Sequence, residues 1–262
     1  MSKEPRVARE TFIGTAWITG AGTGIGRGLA LALVARGMTV AASARTEADL
    51  IALAAEAKGP GSILPIPLDV TDEAAVRAAV ARIEAEAGPI TLAILNAGTN
   101  SEVSAQKFDT ASFAHVIGTN LMGAVHCLGA LLPLLRQRRA GRVAVVASVA
   151  GYRGLPTSSA YAASKAGLIA MTESLKPELE SDNVELTLIN PGFVDTPLTR
   201  KNQFPMPFLI GTDEAVRAIM DGLERGRFEI VFPWQMTVAM KLLGSLPYGL
   251  FFAITRRMVR RL

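Results

Sequence analysis

The chain has 262 residues, 50% of them hydrophobic and 19% charged, with a formal net charge of +4. That length and apolar content predict one large core within a single domain spanning 1–262. The single cysteine, Cys127, excludes an intrachain disulfide and fits a reducing, cytoplasmic setting. The modest charge, with no basic patch interleaved with aromatics, argues against a nucleic-acid partner.

The first dozen residues are polar and mixed in charge, so no signal peptide is expected there. A strand is predicted at Thr15–Thr19. It runs into Gly20-Ala21-Gly22-Thr23-Gly24-Ile25-Gly26 and then the helical pattern Leu29–Val34. Strand, glycine turn, helix is the context in which backbone N–H groups cradle a pyrophosphate at a helix N-terminus. Further strands are predicted at Thr39–Ser43, Ile63–Pro67, Leu92–Leu95, Arg142–Ser148, Glu185–Asn190 and Phe228–Phe232. Amphipathic Ala-rich segments such as Asp72–Ala87 and Tyr161–Ser181 lie between them. Apolar strands alternating with helices predict a doubly wound, Rossmann-type α/β fold, a parallel seven-stranded sheet covered on both faces. Asp72 and Asp213 read as helix-start acids, with Glu73 and Glu214 in the first turn.

Chemistry concentrates around Tyr161-Ala162-Ala163-Ser164-Lys165, with Ser148 thirteen positions before the tyrosine. A spacing of four on a helix puts Tyr161 and Lys165 on one face. A neighbouring cation favours phenolate, so Lys165 is expected to lower the Tyr161 pKa and ready it for proton exchange with a substrate oxygen. Ser148 can hydrogen-bond the same oxygen. Arg45 follows Gly26 by nineteen positions, about where a ribose-reading residue belongs, and no acid precedes Glu47. Arg45 with Ser43 therefore suits the 2′-phosphate of NADP, with NAD as the alternative cofactor and a helix-capping surface arginine as the plain reading. His115, His126 and Cys127 lack metal-ligand spacing and read as structural, so no metal is expected.

These segments resemble the short-chain dehydrogenase/reductase family over roughly residues 12–232. Thr19 through Gly26 has that family's TGxxxGxG form, Asn96-Ala97-Gly98 its NAG motif, and Ser148, Tyr161 and Lys165 its catalytic set. Asn120 lies where the family places a catalytic asparagine, and Asn190-Pro191-Gly192 with Val194 and Thr196 matches the segment that holds the nicotinamide. Leu68-Asp69-Val70 matches the segment beside the adenine, with Asp69 toward the adenine amino group. The cofactor set implied is thus Gly20, Gly22, Thr23, Gly24, Ile25, Gly26, Ser43, Arg45, Asp69, Val70, Asn96, Ala97, Gly98, Tyr161, Lys165, Pro191, Gly192, Val194 and Thr196. The resemblance implies 4-pro-S hydride transfer. It also implies that Lys165 binds the nicotinamide ribose, that Asn120 anchors a water leading to Lys165, and that the protein is a homodimer or homotetramer. Thr23 stands where some NADP-preferring relatives carry a basic residue, which leaves the preference incomplete.

A substrate lid is expected over residues 196–211, strongly apolar apart from Thr199–Gln203. With Tyr152 and Leu155, its Phe204 and Phe208 suggest a pocket for a lipophilic carbonyl or alcohol. From Trp234 the chain reads apolar, breaks at Gly244–Pro247, and ends in an arginine-rich run containing Arg256, Arg257, Arg260 and Arg261. This tail, 233–262, is expected to pack on protein rather than span a membrane. A membrane-peripheral reductase of lipid metabolism is one alternative, and a non-catalytic NADP(H) redox sensor on the same fold is the other.

Overall fold

The structure is a computed structural model that describes residues 12–202 and 204–259. The expectation for the first dozen residues therefore falls, for 1–11, outside the described residues, as do Gln203 of the lid and Arg260 and Arg261 of the tail.

Seven strands form one parallel sheet: β1 (Thr15–Thr19), β2 (Thr39–Ala44), β3 (Ser62–Pro67), β4 (Ile90–Leu95), β5 (Arg142–Val146), β6 (Glu185–Pro191) and β7 (Glu229–Phe232). Their order across the sheet is β3-β2-β1-β4-β5-β6-β7. The chain winds outward from β1 to β3, then returns to place β4 on the other side of β1. A crevice opens at this reversal, beyond the carboxyl ends of β1 and β4.

Period-two alternation sends side chains to both faces of each strand. Ile18 and Ile94 join one core cluster with Leu29, Leu33, Leu50 and Ile219. These belong to α1 (Gly24–Ala35), α2 (Glu47–Glu56) and α7 (Thr212–Glu224). Trp17 and Ala93 join the other with Val76, Ile83, Leu131 and Leu168, from α3 (Glu73–Glu86), α5 (Gly123–Arg138) and α6 (Ser159–Ser181). Burying one such large side chain stabilises the fold by about 1.5–3 kcal/mol. Asp72 caps α3 by accepting the Ala75 N–H, as its sequence position predicts.

Two details depart from the sequence reading. β5 stops at Val146, so Ser148 sits in the turn beyond it rather than in the strand. Its hydroxyl accepts the Ala150 N–H and starts a short 3₁₀ turn, Val149–Gly151. Between α4 (Thr110–Ile117) and α5 the helix widens into one π turn, Gly118–Met122, which carries Asn120.

The tail forms α8 (Trp234–Ser245) and α9 (Tyr248–Val259), split where Pro247 cannot donate a helical hydrogen bond. Each has 12 residues, about 18 Å of helix, too short for a bilayer core of about 30 Å. Their inner faces pack on the body. The Arg153 guanidinium lies 4.5 Å from the rings of both Tyr248 and Phe251, and Lys241 donates to Glu229 at 2.6 Å.

Candidate active site

The glycine turn between β1 and α1 is closed by backbone contact. A Cβ on Gly26 would lie 2.3 Å from the Gly20 carbonyl oxygen, and Gly20 itself has φ +67°. Only glycine allows both. Thr23 precedes α1 without capping it through its side chain, and the first turn holds no acid. The helix N–H groups therefore remain free to take an anion. This uncapped helix end behind a glycine-rich cradle fits a pyrophosphate.

Asn96 staples the turn from β4. Its amide donates to the carbonyls of Thr19 (3.1 Å) and Gly20 (3.0 Å), and Thr19 Oγ1 accepts the N–H groups of Asn96 and Ala97. Gly20, Thr23, Gly24, Ile25, Asn96 and Gly98 line one side of the resulting cleft; Pro191, Gly192, Val194 and Thr196 line the other. Its far end is walled by Gly22, Arg45, Asp69, Val70 and Ala97. The Thr71 backbone N–H holds the Asp69 carboxyl below the usual carboxylate range, and nearby Arg45 adds to this. Asp69 thus also fixes the turn leading into α3.

Ser43 does not join this site, contrary to expectation. Its side chain is buried and its Oγ accepts the Trp17 indole N–H at 2.9 Å. Strand alternation turns it into the core beside β1, leaving Arg45 alone of that pair on the cleft. Two charged residues that the sequence did not single out also reach this end, Asp49 from α2 and Lys201 from the lid.

Ser148, Tyr161 and Lys165 meet in the middle of the cleft. Ser148 Oγ donates to the Pro191 carbonyl at 3.2 Å, and its hydroxyl favours the ionised form of the neighbouring Tyr161 phenol. Lys165 donates to the Val146 carbonyl at 2.9 Å. Burial raises the Tyr161 pKa, with Ser148 opposing it, and pushes Lys165 down to about 8. This corrects the expectation that Lys165 lowers the phenol. Its ammonium is drawn toward β5, 5.6 Å from the Tyr161 ring centre, and burial is the larger influence on both groups. Asn120 is buried and grips Thr99 twice: Oδ1 accepts its N–H at 2.7 Å and Nδ2 donates to its carbonyl at 3.0 Å. Nδ2 also reaches Ser164 Oγ, tying the π turn to α6.

A second cavity opens on the other side of Ser148 and Tyr161. Leu155 and Phe204 line it as predicted, joined by Phe193, Leu198, Met236 and Met240. The last two come from α8. Two predicted substrate residues are elsewhere. The Tyr152 hydroxyl donates to Glu229 and accepts from Asn190 Nδ2 at 3.1 Å, because the 3₁₀ turn after Ser148 points it toward β7. Phe208 is half exposed at the outer edge of the lid, held at φ +58°. The lid is closed at its base by a bridge between Val194 and Ile210, while Thr199 Oγ1 donates to the Val194 carbonyl.

Cys127 is buried in α5 and its thiol is pushed up to about 12, so it packs rather than reacts. His126 Nδ1 lies 2.9 Å from the Val70 carbonyl, a structural contact that steadies the floor of the cleft.

The short chain dehydrogenase family matches this sequence over residues 14–205. The chain belongs to the short-chain dehydrogenase/reductase family. An uncharacterized oxidoreductase of Myxococcus xanthus is 42% identical over 245 residues, 93% of this chain and 97% of that one. The 3-oxoacyl-[acyl-carrier-protein] reductase FabG of Thermotoga maritima is 35% identical over 185 residues, 70% of this chain and 75% of its own. A crystal structure of a short chain dehydrogenase from Burkholderia cenocepacia in complex with NADP superposes with a TM-score of 0.78 at 29% identity, over 90% of this chain and 94% of that one. As a member of the short-chain dehydrogenase/reductase family, the protein is an NAD(P)-dependent oxidoreductase.

Proposed function

We propose that the protein is an NADP(H)-dependent reductase of lipophilic carbonyl compounds. The observation that carries this reading is the cavity beside Ser148 and Tyr161. Among the described residues none that lines it is charged, and Leu155, Phe193, Phe204, Met236 and Met240 make its walls largely apolar. Desolvating such walls favours an apolar substrate, while a charged acid would find no counter-charge there.

NADP(H), when bound, would supply a hydride to the carbonyl carbon. The turn from Gly20 to Gly26 and the N-terminus of α1 would hold its pyrophosphate. Pro191, Gly192, Val194 and Thr196 with Lys165 would hold the nicotinamide half, and Asp69 and Val70 the adenine half. Tyr161 gives its hydroxyl proton to the carbonyl oxygen as the alcohol forms. Ser148 hydrogen-bonds that oxygen and fixes its direction. Asn120 holds Thr99 and α6 in place around Tyr161 and Lys165.

Arg45 and Lys201 supply positive charge at the far end of the cleft, which favours the 2′-phosphate of NADP. Asp49 on the same wall opposes them, so NAD is disfavoured rather than excluded. A single domain, with the tail completing the substrate wall, a homodimer or homotetramer, and a cytoplasmic location complete the proposal. The test is an NADPH- and NADH-oxidation screen over ketones and aldehydes of increasing chain length. The expected result is higher kcat/KM with NADPH, rising with apolar chain length. Preference for short polar or acidic carbonyls would overturn the substrate class.

A further inference from the structure

The tail has two faces with opposite partners. Thr237 and Met240 of α8, and Phe251 and Thr255 of α9, are buried against the body. On α8, Trp234, Val238 and Leu242 recur every four residues, hence along one side of the helix, and all are exposed; Trp234 is 68% exposed and Leu242 63%. On α9, Leu250, Ile254 and Met258 repeat the pattern. Nine of the fifteen exposed large apolar side chains among the described residues belong to these two helices. Such a concentration marks an interaction surface.

Charge decides among occupants. From Pro233 to Leu262 the sequence carries one lysine and four arginines and no acid, more positive charge than the whole chain's net +4. Lys241 is paired with Glu229, whereas Arg256 and Arg257 appear in no ion pair among the described residues. A symmetric contact with a second copy would set two such basic tails against each other. An anionic lipid surface complements them, taking the apolar stripe into the acyl boundary and the arginines at the headgroups.

We infer that α8 and α9 form an interfacial docking surface for anionic membranes, lying flat and not spanning. The inner side of α8 walls the proposed substrate cavity through Met236 and Met240, so the bilayer would rest on the back of that wall. Docking itself does not depend on the catalytic assignment.

The test uses the full chain with phosphatidylcholine vesicles, with and without about 30% phosphatidylserine as the anionic lipid. The expected result is co-sedimentation at least about tenfold tighter on the anionic vesicles, weakened by about 1 M salt. Trp234 emission should shift to the blue on binding. The chain's other tryptophan, Trp17, is fully buried and gives a constant background. The double variants Val238→Glu/Leu242→Glu and Arg256→Glu/Arg257→Glu should each lose at least about tenfold in vesicle affinity and keep the wild-type circular dichroism and NADPH binding. Equal binding to neutral and anionic vesicles, or none to either, would overturn the inference. So would a Val238→Glu/Leu242→Glu variant that binds vesicles like the wild type. A fall in particle mass for that variant, with no vesicle binding by the wild type, would assign the face to a second copy instead.

Discussion

Lys165 follows Tyr161 by one helical turn, yet its ammonium donates to the Val146 carbonyl at 2.9 Å and stands 5.6 Å from the tyrosine ring centre. The lysine is thus anchored to the sheet and buried at the inner wall of the cleft. That arrangement makes the protonation state of Lys165 the sensitive variable of the site.

Tyr161→Phe keeps the ring and removes the proton donor. We expect kcat to fall by about 10²-fold or more, with NADPH affinity within about twofold of wild type. Steady-state kinetics and a fluorescence titration measure the two. Wild-type turnover in this variant would remove Tyr161 from the mechanism.

The pH dependence follows from Lys165, pushed down to about 8 by burial. Below that value the ammonium can hold the cofactor's ribose; above it the charge is lost. NADPH affinity of the free enzyme should therefore weaken as pH rises through about 8, and Lys165→Met should abolish that step. Stability moves the other way. The unfolded lysine titrates near its ordinary value of 10.5, so between about 8 and 10.5 the unfolded state binds more protons and stability gains with pH. Thermal melts across that window should show the gain in wild type and not in Lys165→Met.

Cofactor choice is divided between Arg45 and Lys201 on one side and Asp49 on the other. Losing a charged hydrogen bond to phosphate costs about 1.5–3 kcal/mol, or roughly one to two decades of affinity. Arg45→Asp should lower kcat/KM for NADPH by at least about tenfold and leave NADH little changed. Asp49→Asn should shift the ratio toward NADPH. An Arg45→Asp enzyme with unaltered cofactor ratio would make Arg45 a surface residue only.

Glu229 joins three elements: it accepts from Tyr152, from Asn190 Nδ2 at 3.0 Å and from Lys241. Burial would raise its pKa, but these donors outweigh it and hold the carboxyl low. It contributes stability at neutral pH that is lost as pH falls through that lowered value. Glu229→Ala leaves the Tyr152 O–H without its acceptor and removes one of the two acceptors of Asn190 Nδ2, costing about 1–3 kcal/mol. A melting temperature lower by about 2–12 °C is expected, roughly 2–4 °C per kcal/mol at this size. An unchanged melt would mean that α8 is held by its apolar contacts alone.

Much of the fold was legible because it follows short-range rules. The first strand falls at Thr15–Thr19, as its apolar run predicts, and six more strands lie where alternation with amphipathic helices puts them. The glycine turn was legible too, since steric exclusion of a Cβ is written in residue type. So were Ser148, Tyr161 and Lys165 as neighbours, because helical spacing and the end of a strand bring them to one place.

Which way a side chain faces, and what distant segment meets it, was decided only by tertiary packing. Ser43 and Arg45 are two residues apart, yet Ser43 turns to Trp17 and Arg45 to the cleft, where the strand ends and alternation lapses. Tyr152 was near enough in sequence to suggest the substrate, but Glu229, 77 positions later, claims its hydroxyl. Met236 and Met240 reach the cavity because the cluster around Arg153 folds the tail back over it. The Lys165 pKa belongs to the same class. Sequence places a cation near a phenol, but desolvation depends on everything packed around both, and it is this that draws the lysine down and the tyrosine up.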